Sequence, residues 1–238
     1  MLEAALWGLV TAGSLWVGAA LASLRPGHRW IGLAVAFGSG ALIAAVAYEL
    51  VEDAFATDLE LASLGFAAGA LTFYIGDWAV DGRGGAGRKS MTGEHQLAGS
   101  ANAIVLGTVL DGIPESFVLG ASLVEEAVVP IAVVVGVFVS NVPEALSGST
   151  GLIEAGWTRT RVFAMWSGVV VVSVLSAMAG WLLLDTVGAT GGAFVTAFAA
   201  GALIVMLADT LMPEAFELGG REAGLVTALG FAVGFGLS

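Results

Sequence analysis

The chain has 238 residues, 58 % of them hydrophobic and 12 % charged, with a mean hydropathy of +0.93. Soluble domains are nearer half apolar and a quarter charged, so this composition predicts an all-α, polytopic membrane protein folded as a single transmembrane domain over 1–238. The net charge is −12 and there is no cysteine, which excludes thiolate metal sites, disulfides, thiol catalysis and any nucleic-acid role.

Apolar runs separated by polar breaks mark eight spans, about residues 4–23, 30–54, 61–80, 97–123, 127–152, 162–184, 192–216 and 222–238. The first carries Glu3 where a signal peptide would be basic, and is read as an uncleaved helix. Between the third and fourth spans, the glycine-rich stretch 81–96 is expected to be a flexible cytoplasmic loop. Every basic residue falls in an odd-numbered loop: Arg25 and Arg29, then Arg83, Arg88 and Lys89, then Arg159 and Arg161, then Arg221. The even loops carry only acids, Asp58 and Glu60, then Glu125 and Glu126, then Asp185. The positive-inside rule therefore predicts cytoplasmic odd loops and two extracytoplasmic termini, in the inner (plasma) membrane of the cell. The acidic excess suits either an acidic host proteome or the attraction of cations.

Residues 37–55 read FGSGALIAAVAYELVEDAF and residues 198–216 read FAAGALIVMLADTLMPEAF, identical at nine of nineteen positions. They belong to spans two and seven, which run in opposite directions under this topology. The expected plan is thus 3+2+3, an inverted repeat of spans 1–3 and 6–8 around spans 4 and 5, with a site at the midplane.

Span four carries Asp111-Gly112-Ile113-Pro114-Glu115 and span five carries Ser140-Asn141-Val142-Pro143-Glu144. Carboxylates at that depth are costly and are kept for ion handling, pairing or proton relay. Each proline is expected to break the helix ladder and free a carbonyl one turn earlier, at Leu110 and Val139. Asp111 and Glu115 are i,i+4, and Asn141 and Glu144 are i,i+3, so each pair shares a face. Both motifs lie about a dozen residues into their spans. They are expected to meet at one depth, as three carboxylates, an amide oxygen and the freed carbonyls. Such hard oxygen ligands suit divalent cations such as Mg, Mn or Fe(II), and also hold Zn. Ser140, Ser116 and Ser147 are expected to add hydroxyls or line a water path. Further acids mark a route: Glu49 and Asp53 at the outer end of span two, Asp209 deeper in span seven, and Glu214 at its inner end. For Glu52, Asp53 and Asp77, simple reach to the interface explains the position as well.

At these residues the chain resembles the ZIP family of divalent metal transporters, as a divergent prokaryotic member. The family's span four carries His-Asn-x-Pro-Glu-Gly, matched here by Asp111-Gly112-Ile113-Pro114-Glu115-Ser116, and its related span-five motif is matched by Ser140-Asn141-Val142-Pro143-Glu144-Ala145. A Pro-Glu-Ala that often ends spans two and seven is found as Pro213-Glu214-Ala215 and, degraded, as Glu52-Asp53-Ala54. The resemblance covers nearly the whole chain. It implies ligand roles for Asp111, Glu115, Asn141 and Glu144 in a two-metal centre. Three departures qualify it: Asp111 replaces the histidine, Gly112 the asparagine, and Ser173 a span-six glutamate that often completes the second site. The third loop holds only His95 in place of a histidine-rich tract. Losing the imidazole implies harder ions and one site, or a weaker second one.

The expected function is a divalent metal transporter, not an enzyme, whose substrate is Zn or a similar ion such as Mn, Fe, Cd or Co, moved toward the cytoplasm by alternating access. The alternative is a non-transporting, metal-sensing or regulatory homologue. An intramembrane hydrolase is disfavoured because histidine ligands and serine or cysteine nucleophile motifs are absent. The expected partners are metal cations and the lipid bilayer, and the glycine-rich surfaces permit a homodimer.

Overall fold

The computed structural model describes residues 1–24, 27–85, 101–125 and 131–237. Most of the expected 81–96 loop lies outside the described residues, as do Arg25, Arg88, Lys89, His95 and Glu126. Among the described residues eight helices follow one another: α1 (Leu2–Leu24), α2 (His28–Thr57), α3 (Leu59–Arg83), α4 (Ala101–Glu125), α5 (Ile131–Glu154), α6 (Arg159–Gly188), α7 (Gly191–Gly219) and α8 (Glu222–Leu237). Among the described residues there is no strand. Six of the helices, α1, α2, α3, α5, α6 and α7, are long and apolar enough to cross a membrane. The chain is thus an all-helical, multi-pass membrane protein. Of the other two, α4 has 25 residues and α8 has 16. Large apolar side chains such as Trp30, Leu64, Trp78 and Leu225 point outward, as lipid-facing residues do.

Local chemistry sets the boundaries. The Asp58 carboxylate caps α3 by accepting from the amides of Glu60 and Leu61 at 3.1 and 3.0 Å. Thr158 caps α6 in the same way through the Arg161 amide. The end of α5 is a Schellman turn: Gly156 at φ 90° lets Trp157 donate to Leu152 and its own amide donate to Ile153. Hydrogen bonding runs on almost unbroken from α6 into α7, and the bend between them is Gly188, at φ 69° and ψ −180°, a conformation that a β-carbon disfavours.

The prolines do not end their helices. Both α4 and α5 continue through Pro114 and Pro143, although a proline deprives the carbonyl four residues earlier of its helical donor. The Ser176 hydroxyl donates to the Ile113 carbonyl at 2.8 Å, on the peptide that Pro114 closes. The Ser140 hydroxyl donates to the Val137 carbonyl at 3.1 Å.

Glycine sets which helices touch. A side chain at Gly40 of α2 would run into the Thr227 carbonyl of α8, and one at Gly230 of α8 into the Phe37 carbonyl of α2. The same reciprocal clasp joins α3 and α7, with Gly201 on Phe66 and Gly69 on Phe198, and again α4 and α6, with Gly120 on Ala177 and Gly180 on Phe117. Without a hydrophobic drive between helices in lipid, such backbone approach is a main source of association. The contacts also give directions. In these three pairs the helices run parallel. Gly38 meets Ser140 and Gly136 meets Leu42, so α2 and α5 run antiparallel. One constant register relates the repeats: the step from Phe37 to Phe198 also carries Gly40 to Gly201, Phe66 to Thr227 and Gly69 to Gly230. Each copy contains a π-helical turn at the matching place, Val46–Val51 and Leu207–Leu211.

At one end of the bundle α2, α6 and α8 begin and α5 and α7 end. Arg29 and Glu222 form an ion pair there at 2.8 Å. Because α6 starts there with Arg159 and Arg161, this is called the basic end below.

Candidate metal centre

Four helices converge on one cavity of about 10 Å³, room for a single water-sized particle. From α4, the helical stripe Thr108, Gly112, Glu115 and Ser116 faces it. From α5, Asn141 and Glu144 face it one turn apart. Ser173 reaches it from α6, and Leu15, Val169 and Trp166 form its apolar wall. The carboxylates are deeply buried, Glu115 at 2 % and Glu144 at 5 % exposure. The Asn141 amide is oriented: its Nδ2 donates to the Thr11 carbonyl of α1 at 3.2 Å. That leaves the amide oxygen as the end available to the cavity. The Ser14 hydroxyl donates to the same carbonyl, and the Thr11 hydroxyl donates to Trp7 at 3.0 Å. Ser116 and Ser173, each 3 % exposed, place buried hydroxyls on the lining. Ser173 is tight against α4, since a β-carbon at Gly112 would sit 3.4 Å from its Oγ.

Glu115, Asn141, Glu144 and Ser173 therefore come together as expected, and Asp111 does not. It is buried at 1 % exposure but off the lining. At about 100° per residue, the stripe through Thr108, Gly112, Glu115 and Ser116 leaves Asp111 on its flank. Contacts of α4 with α6 at Gly112 and Gly120 fix that rotation. Among the described residues, no three His, Cys, Asp or Glu side chains come close enough to hold a metal together. The expected three-carboxylate cluster is a two-carboxylate one, and Leu110 and Val139 do not line it either.

The other candidates lie elsewhere. Ser140 is buried where Gly38 of α2 presses on it, and Ser147 is buried further along α5. Glu49 is half-buried in the π turn of α2, Asp53 is exposed near its end, and Asp209 is exposed in the π turn of α7. Glu214 is buried near the end of α7, and Asp77 is buried in α3. None of these five acids touches the cavity. Sequence reasoning missed Thr108 and Trp166. Thr108 lies seven residues before Glu115 on the same stripe, a signal that the spacing carried.

Two carboxylates, one amide oxygen and three hydroxyls make an oxygen-only donor set, suited to one hard divalent cation. Buried carboxylates this enclosed are costly unless a cation or a proton neutralises them. No protein-family model and no curated protein matches this chain.

Proposed function

We propose that the chain is a divalent metal cation transporter, a divergent relative of the ZIP family, that carries its ion through the cavity between Glu115 and Glu144. One observation carries the reading: two buried carboxylates and an oriented amide meet on a cavity of single-ion size inside a helical membrane protein. The helix directions support eight alternating spans, with the even-numbered helices parallel to one another. The Arg29–Glu222 pair supports a shared side for the first and seventh loops. Excess Lys and Arg in the odd loops makes that side cytoplasmic. The repeated register of α2 with α8 and of α3 with α7 supports an inverted repeat and alternating access.

The test is flux into liposomes holding a metal-sensitive dye, with Zn, Mn, Fe(II), Cd, Co and Mg offered outside. Glu115→Ala and Glu144→Ala are expected to cut uptake by about a hundredfold, as loss of a ligand exceeds the effect of its supporting groups. Unchanged uptake in both variants sinks the reading. A second reading, a metal-sensing homologue that does not transport, draws on the absence of a three-ligand acidic cluster among the described residues. It predicts binding without flux.

A further inference from the structure

We infer that Trp166 is the plug that closes this cavity toward the basic end of the bundle, with Ser149 as its latch. The inference rests on the reading of the cavity as an ion site and adds how one side of it is shut. Glu144 and Gly148 are i,i+4, so they share one face of α5, with Gly148 one turn nearer the basic end. A β-carbon at Gly148 would lie 3.3 Å from Cζ2 of the Trp166 ring. The indole therefore occupies the position directly beyond Glu144, while its edge also lines the cavity. It is 1 % exposed and is among the largest fully buried side chains of the chain.

The ring packs on one side against apolar neighbours, Leu15, Leu152 and Val169 among them, and on the α5 side it meets small residues. From Glu144 onward α5 reads Ala145, Leu146, Ser147, Gly148, Ser149, and the small and hydroxyl-bearing residues among these are all buried. Ala145, Gly148 and Ser149 share one side of α5 and Ser147 lies on another, so the small side that the indole covers carries one hydroxyl, that of Ser149. The ring is held there by one directional contact, Trp166 Nε1 donating to Ser149 Oγ at 2.8 Å. Withdrawal of this side chain would join the cavity to the side of α5 that carries Gly148 and the Ser149 hydroxyl. On the far side of the cavity, Glu115, Ser116 and Ser173 lie nearer the opposite end, so the plug is one-sided.

The chain has no cysteine, so Thr108→Cys puts a single thiol on the cavity. Its modification by a membrane-impermeant thiosulfonate is measured from each side of oriented vesicles, with no metal present. With Trp166 and Ser149 intact, the rate is expected to be slow from both sides. Adding Ser149→Ala removes only the acceptor and is expected to raise the rate from the basic-end side about fivefold. Trp166→Ala is expected to raise it further. If that variant does not fold, Trp166→Phe, which keeps a ring and loses the donor, takes its place. Fast labelling with the plug intact overturns the inference, as do an unchanged rate in Ser149→Ala and the tryptophan variant, or a rise only from the opposite side. Labelling does not depend on metal: the expected pattern without flux of any ion would sink the transport reading and leave the plug standing.

Discussion

Residues 37–55 and 198–216 are packed alike and finished differently. Gly40 and Gly201 each meet the backbone of a partner helix at matching residues, and both copies unwind into a π turn at the same place. Their polar positions have diverged. Tyr48 in the first copy sits among Phe231 and Phe235, with ring centroids 6.2 and 4.9 Å away, whereas the matching residue in the second is the exposed Asp209. Asp53 near the end of α2 is exposed, while its counterpart Glu214 near the end of α7 is buried. The glycines that meet a partner backbone in both copies, Gly40 with Gly201 and Gly69 with Gly230, carry the shared architecture. The polar positions are free to differ, and they make the two ends of the bundle chemically unequal.

The equivalence breaks first at the glycines if it breaks at all. Gly40→Leu and Gly201→Leu are each expected to cost about 3 kcal/mol, because backbone has to move to admit the side chain. Thermal unfolding of the purified protein in detergent measures both, and tolerance of either one alone would end the comparison. The inequality of the ends is sharpened by the carboxylates. Glu214→Ala is expected to cost about 1–3 kcal/mol, the scale for deleting a buried polar partner. Asp53→Ala should stay within about 0.5 kcal/mol, as exposed substitutions do. Equal losses in the same assay would show that the two ends are alike after all. The smallest effect is expected at the basic end's ion pair, where Arg29 and Glu222 are 65 % and 52 % exposed. Glu222→Gln should cost less than about 1 kcal/mol and the difference should fade in high salt; a larger, salt-insensitive loss would make that pair a structural lock.

The repeat was legible in the sequence because small residues recur where helices touch, and Gly40 and Gly201 are touching residues. The candidate site was legible in part for a similar reason: Pro-Glu twice, in apolar surroundings, marks residues with a cost to explain. Glu115, Asn141 and Glu144 do share one cavity. The miss at Asp111 shows the limit of spacing. An i,i+4 relation puts two residues on neighbouring sectors of a helix, and only the packing of α4 against α6 decides which sector looks inward. The continuity of α4 and α5 through their prolines was equally hidden, since packing against neighbouring helices decides whether a proline ends a helix or is carried within it. Trp166 gave no sign in isolation, as a tryptophan in an apolar helix is normally core. Its meaning comes from Gly148 and Ser149, which are distant in the sequence by a whole loop.

The clasp between α2 and α8 has a consequence for biosynthesis. Gly40 and Thr227 meet, yet they leave the ribosome far apart, and so do Gly69 and Phe198. At about 5–20 residues per second, α2 waits roughly 10–40 s in the bilayer before α8 emerges. During that interval its glycine stripe has no native neighbour, and any other small-residue helix in the same membrane competes for it. The nascent chain is therefore most vulnerable to mispairing before its last helix arrives, and a chaperone or insertase that shields α2 would act in that window.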